Sequence, residues 1–441
     1  MRMVGGPPVA IGLGSAALVV LLTGLHDTVP AGPGPASLPE QLASYSHLTG
    51  SVSSSPPGAA VALYQHGFGV EFMDFPQAVV LGAGGDVYRR VDAAEGRAGT
   101  ETQGDPAPML LSPDGTKVAV GDHVTDEPDV VVVDLVTGAT SSHPLPTGRS
   151  VVPVAWSSDG RTLAHLLSPA PTSPYSGGRI TGDVGLLDLS DGSTTVLEER
   201  TAVAAAFAPD GSELAVERTG TADRISVVDL STGARRSVEA DGVLAGPAAW
   251  SPDGRLLATT TTRPDIAPAG GESPGTPTGL AFVDATGGGA DVPAPLQLPL
   301  SGPGRVLGWG GPEEVVVLLD PATDAPCCGS DTLTVSGVPL DGTGHRTLMR
   351  ISDQLSYGVG RFQLASATVS DLRVVGPAEV DRGPWPLPWR GGAALLVGLV
   401  TWLGSRWALR RWDPSAASAS DGEPGHGPAS MTRRTSARSR S

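Results

Sequence analysis

Four near-copies of one phrase recur along the chain: a short apolar run, then Ser-Pro-Asp-Gly or a close variant, then a second apolar run. They read LLSPDGTKVAV from Leu110, AWSSDGRTLAHL from Ala155, AFAPDGSELAV from Ala206 and AWSPDGRLLAT from Ala249. A second phrase follows each: VVDLVTG, LLDLSDG, VVDLSTG and FVDATGG. A repeat of this kind requires one supersecondary unit stacked against copies of itself, because a single unit cannot bury its own apolar face.

The apolar runs are short, rich in Val, Leu, Ala and Thr, and separated by turn residues, which predicts strands rather than helices. Ser-Pro-Asp-Gly suits a type I turn, with Pro presetting φ at the second position and Gly at the fourth. Each unit then holds four strands: A (PVAWS at 153–157), B (TLAHLL), C (DVGLLDL) and D (TTVLEE). Adjacent units begin roughly 45 residues apart. Gly (60 residues) and Pro (41) are abundant and only 17% of the chain is charged, as expected of an all-β protein with many tight turns.

Sheets of four strands repeating at this spacing predict a β-propeller. AWSPDGRLLAT followed by VVDLSTGARR resembles the TolB-type propeller repeat, a relative of the WD-repeat family. The resemblance spans about residues 60–375 and is strongest between Leu110 and Thr286. The Trp-Asp dipeptide of WD repeats and its Gly-His partner are absent, so the TolB type is the better match. Arginine almost replaces lysine, Lys117 being the only one, which reads as a high-GC, actinobacterial-like bacterial genome.

Weaker units flank the strong ones. GWGGPEEVVVLLD from Gly308 with TLTVSGVPLDGTG from Thr332 makes a further blade. Upstream, VALYQHG, QAVVLGAGG and DVYRRVD supply three strands; downstream, RFQLASATV supplies one. Three plus one completes a closing blade and predicts six blades, or seven if residues 350–378 hold more than one strand.

Both ends are apolar. Residues 8–25 carry no charge and follow residues 1–7 with Arg2; they read as a signal anchor or a signal peptide. Residues 391–409 read as a transmembrane helix. Five of the eight tryptophans cluster around them (Trp385, Trp389, Trp402, Trp407, Trp412), and Arg410 and Arg411 follow. Positive flanks stay in the cytoplasm. With an uncleaved N-terminal segment, both termini are then cytoplasmic and the propeller, residues 59–378, is extracytoplasmic at the cell membrane. Residues 26–58 are expected to be a Pro/Gly/Ser spacer, with the stretch around Leu42 a candidate for docking on the domain, 379–390 a hinge, and 410–441 a disordered basic tail.

The net charge of −17 is uneven. Residues 27–389 hold 43 acidic against 20 basic side chains, while the chain from Ser405 on holds seven arginines against three acids. An acidic central domain argues against nucleic-acid binding, which needs a basic footprint.

Antiparallel connections alternate faces. The A–B and C–D turns share one face; the B–C and D–A loops share the other. Long insertions fall only in B–C connections, at 168–183, 262–279 and 321–331. They crowd one face, where a rigid scaffold displays functional loops. That face is expected to contact a protein or cell-envelope partner, with Tyr175, Arg179, Arg263 and Asp265 as contact residues. Cys327 and Cys328 are adjacent in the last insertion and either form a vicinal disulfide or stay unpaired.

The recurring Asp114, Asp159, Asp210 and Asp253 sit in separate units and serve turn geometry rather than a metal. No nucleophile elbow, HExxH or phosphate loop occurs, so no catalytic residue, cofactor or metal is assigned. The expected function is a membrane-tethered, extracytoplasmic binding scaffold; an enzyme acting on a small molecule or glycan in the propeller channel is the alternative.

Overall fold

The four Asp-Gly phrases fold as self-contained turns. The glycine N–H donates to the carbonyl three residues back, as in Gly115 to Ser112 and Gly254 to Ser251 (both 2.9 Å). The aspartate is held from within: Ser157 Oγ donates to Asp159 Oδ1 (2.7 Å), as does the Arg161 N–H (3.1 Å). These two donors hold Asp159 below the usual carboxylate range. Asp114 and Asp253 are served the same way, whereas Asp210, preceded by Ala208, takes both its N–H and its hydroxyl donor from Ser212. The second phrase ends in an equivalent turn; donors from Ser231 and Thr232 bring Asp229 down to about 2.

A computed structural model describes residues 7–24, 36–67, 75–99, 102–126, 128–173, 179–221, 223–263, 276–289, 291–301, 304–320, 332–352 and 358–411. Two compact units are present, Leu25–Pro386 and the pair of chain ends. The larger unit is built from antiparallel meanders. One sheet holds Met109–Leu111, Lys117–Val120, Asp129–Asp134 and Thr140–Pro144 in sequence order. Another begins with the short strand Val243–Leu244, and a third with Val306–Gly311.

A seven-stranded sheet runs from Ser150–Trp156 to Arg235–Val238. Its middle strand, Thr194–Phe207, serves twice. Residues 194–197 close one meander against 184–187; residues 202–207 open the next against 214–218. Thr201, at φ +62°, marks the change of role.

The remaining four-stranded sheet is assembled from both ends of the repeat region. Val359–Leu364 pairs antiparallel with Ala60–His66, which continues into Gln77–Gly82 and Tyr88–Arg90.

The cores lie between consecutive sheets and run in a closed cycle. Leu63 and Val80 pack with Leu111 and Val120. Leu110 and Val132 pack with Trp156 and Leu163, and Ala155 and Leu166 with Phe207 and Leu214. Ile225 packs with Leu257, and Phe282 with Trp309. Leu307 and Val335 then return to Val61 and Tyr64. A ring of radially stacked antiparallel sheets is a β-propeller. Indoles bridge the joints: the Nε1–H of Trp156 donates to Leu110 O (3.2 Å), of Trp250 to Ala206 O (3.1 Å) and of Trp309 to Ala248 O (2.9 Å).

Two linker expectations are corrected. From Ala36 onward the Pro/Gly/Ser stretch is packed on the propeller: Leu38, Leu42, Tyr45 and Val52 are buried. Ser37–Pro39 pairs in parallel with Arg373–Val375. Its scattered apolar residues, set among turn formers, find the propeller surface rather than water. The 379–390 hinge is likewise anchored, because fully buried Arg89 grips Asp381 (Nη2 to Oδ2, 2.9 Å).

The second unit pairs helices α1 (Pro7–Leu22) and α3 (Leu387–Arg411); the short α2 (Asp92–Glu95) belongs to the propeller. Among the described residues, Leu387–Leu409 is the one helix long and apolar enough to cross a membrane; Pro8–Leu22 is apolar but shorter. Gly12 and Gly398 bring the helix backbones together: a Cβ added to Gly12 would lie 2.9 Å from Gly398 O. Small residues at such a seam are characteristic of helix pairing in lipid.

Candidate functional site

The innermost strands of successive meanders surround a cavity of about 500 Å³. Its walls are mostly apolar, with Met109, Leu110, Val154, Ile180 and Leu244 among them. Two arginines, Arg179 and Arg305, also line it. Arg305 continues into a smaller cavity of about 130 Å³ that it shares with Arg361. By topology all three lie towards the B–C and D–A side. Arg179 precedes the C strand Gly182–Asp188, Arg305 precedes the A strand Val306–Gly311, and Arg361 is near the start of the A strand Val359–Leu364.

Arg179 is held by a carboxylate. Both its terminal nitrogens donate to Glu217, whose side chain is fully buried and also accepts the Leu244 N–H (3.0 Å). A buried carboxylate needs such a set of donors.

Arg361 sits at a β-bulge. Register runs from Gln65 opposite Gly360 to Leu63 opposite Gln363, leaving Arg361 and Phe362 opposite Tyr64 alone. Its φ of +53° is unusual for a residue with a side chain, and bulges of this kind re-aim side chains. Its guanidinium donates to Pro106 O (3.1 Å) and lies 3.9 Å from Asp105.

Arg305 is different: among the described residues it has no hydrogen-bond or ion-pair partner. The protein surrounds it closely enough to hold its guanidinium below the ordinary value, with the charges of Arg179 and Arg361 adding to that effect. Its side chain nevertheless remains open to solvent. Arg305 thus lines the cavity with its side chain accessible and is not sealed in the core. Its position is well defined. The Thr260 hydroxyl donates to the Gly304 carbonyl, and Val306 N–H donates to Ala245 O (2.8 Å). The side-chain stem lies across Gly246, where an added Cβ would come within 3.2–3.3 Å of Cβ, Cγ and Cδ of Arg305.

His123 follows the B strand Lys117–Val120 and is buried. Its Nδ1 is 2.8 Å from Thr172 Oγ1, while Nε2 is buried without a partner. Burial, helped by the Arg361 charge, lowers its pKa to about 4.

The expected contact residues divide. Arg179 belongs to the cavity wall rather than to an outward loop surface. Arg263 ends the strand Leu256–Arg263, exposed and opposite Thr276, and does not join the arginine cluster lining the cavity. Tyr175, Asp265, Cys327 and Cys328 lie outside the described residues. Arg305 and Arg361 were not singled out from the sequence. The only signal available was an arginine at the lip of an A strand, in RVLGWG and GRFQLA. Among the described residues, no group of three His, Cys, Asp or Glu side chains is placed to hold a metal ion.

No protein-family model and no curated protein matches the chain. Solved structures similar to it include TolB from Acinetobacter baumannii, at 17% identity and TM-score 0.46 over 70% of this chain and 67% of that one. The nidogen/laminin complex is similar at 10% identity and TM-score 0.42, over 70% and 99%. Oligogalacturonate lyase from Vibrio parahaemolyticus is similar at 12% identity and TM-score 0.40, over 62% and 71%.

Proposed function

We propose that this chain is a membrane-tethered binding scaffold: a six-bladed propeller, counting the seven-stranded sheet as two blades, held outside the cytoplasm by apolar helices at both ends. The B–C/D–A face binds a protein or cell-envelope partner. One observation carries this reading, the chemical asymmetry of the two faces. Aspartates of the A–B and C–D turns spend their acceptors on their own turns, as Asp159 and Asp229 do. The opposite side carries Arg179, Arg305 and Arg361 around an arginine-lined cavity. Charged groups not consumed by their own scaffold are what a partner can engage.

The pairing of α1 with α3 through Gly12 and Gly398 supports an uncleaved N-terminal helix, since removal would strip α3 of its seam. Cation–π contacts of Arg406 with Trp402 and Arg411 with Trp407 place charge beside indole near the end of α3, as at a membrane interface. An enzyme acting in the channel is the second reading; a cavity of about 500 Å³ favours it, and turnover by the purified protein is its mark.

The test shortens residues 169–178 and 264–275 to tight turns while keeping Arg179, so that Glu217 stays paired. In-cell crosslinking from this face then loses its adduct while the thermal midpoint is unchanged. An adduct that persists at wild-type yield refutes the assignment of the face.

A further inference from the structure

We propose that the cavity is a binding site for an organic carboxylate with an apolar body, and that Arg305 is the residue that receives the carboxylate. The inference rests on the binding face assigned above and names the chemistry of one ligand for it.

Three features converge. First, of the three arginines at the cavity, two already have carboxylates: Glu217 for Arg179 and Asp105 for Arg361. Arg305 has none among the described residues, so these described side chains carry one formal positive charge in excess. A single excess charge matches a monoanion better than a phosphate dianion. Second, this guanidinium is held ready. Gly246 leaves room for the stem, and the flanking backbone is fixed by Thr260 and Ala245. A planar fork with five donors is shaped for bidentate carboxylate binding. Third, the walls beyond it are apolar: Met109, Leu110, Val154, Ile180, Val203 and Leu244. A small hydrophilic anion would leave that surface wet, whereas an aliphatic body would cover it. Few precisely placed polar groups on largely apolar walls are the usual make-up of a small-molecule site.

The wider charge of the protein sharpens the point. An unpaired cation facing a cavity is unexpected in a chain with a net charge of −17, where carboxylates to neutralise it are plentiful.

The experiment uses the full chain in non-ionic detergent and hexanoate as the probe, followed by calorimetry. Hexanoate binds saturably; hexanamide and acetate each bind at least about tenfold more weakly, as expected when a charge-assisted pair or the apolar contact is removed. Arg305→Gln lowers hexanoate affinity by at least about tenfold, and Arg305→Lys recovers part of it. Equal affinity for hexanoate and hexanamide overturns the proposal. So does unchanged binding by Arg305→Gln, stronger binding of inorganic phosphate than of hexanoate, equality of the lysine and glutamine variants, or no saturable binding. If Arg305→Gln fails to fold, the ligand series on the wild-type chain decides. Failure here with crosslinking intact removes the ligand assignment alone; persistence of crosslinking after loop shortening removes the face assignment instead.

Discussion

His165 is the residue through which acid should loosen the propeller. It lies within the strand Thr162–Ser168, is completely buried, and faces Gly185 on the adjacent strand. An added Cβ on Gly185 would lie 2.4 Å from its Nε2, so the ring occupies the space that a side chain there would need. Neither ring nitrogen makes a hydrogen bond of ordinary geometry, and only the Leu163 backbone favours the charged form. Burial therefore dominates and lowers the pKa from 6.5 to about 4. The sign follows from proton uptake: below pH 6.5 the unfolded chain binds a proton that the folded chain refuses. Stability from this residue is complete at neutral pH and is lost as pH falls from 6.5 towards 4. Between pH 7 and pH 5 the loss is about 1.8 kcal/mol, rising to a limit of about 3.4 kcal/mol below pH 4.

The assay is urea unfolding of the full chain and of His165→Leu at pH 7 and pH 5. The variant's stability should fall by about 1.8 kcal/mol less than that of the wild type over this interval. Comparing the two chains cancels the contributions of His123 and of Glu95 and Asp122, whose carboxyls burial raises. An equal fall in both chains would refute the reasoning.

Two further outcomes follow from packing. Trp250→Phe removes the donor to Ala206 O and leaves a buried acceptor, so it should cost about 1–2 kcal/mol in denaturant unfolding; no change in midpoint would show that the indole bridge contributes only bulk. Gly398→Leu places side-chain atoms where Ala16 Cβ and Gly12 O are 3.2 Å from the added Cβ. Cysteine crosslinking between α1 and α3 should then fall sharply in detergent, and undiminished crosslinking would exclude the glycine seam.

What the sequence revealed follows local chemistry. The Asp-Gly turns were legible because Ser, Asp and Gly act within five residues, as in Ser112, Asp114 and Gly115. The docking of Leu42 was legible as an apolar stretch within the spacer, but that of Leu38 and Val52 was not, because nothing local marks which surface their side chains cover. The double use of Thr194–Phe207 was hidden for another reason: the D and A strands it joins lack any loop residue to divide them. Arg179 was legible only as a loop residue; its pairing with Glu217 spans 38 positions. Arg305 and Arg361 take their meaning from a cavity whose walls come from distant strands, so no window of sequence contains it.

The pairing of Val359–Leu364 with Ala60–His66 also orders events on the ribosome. Ala60–His66 emerges early, with one edge ready to pair, and waits through nearly three hundred residues of synthesis for its partner. During that interval it is an open strand flank of a kind that recruits the wrong chain. A nascent chain stalled before Val359 therefore has every other propeller sheet available but no ring, and lacks the partner of Ser37–Pro39 as well. Truncation just upstream of that strand should be far more damaging to solubility than its small size suggests, because a strand made late completes a propeller sheet begun early.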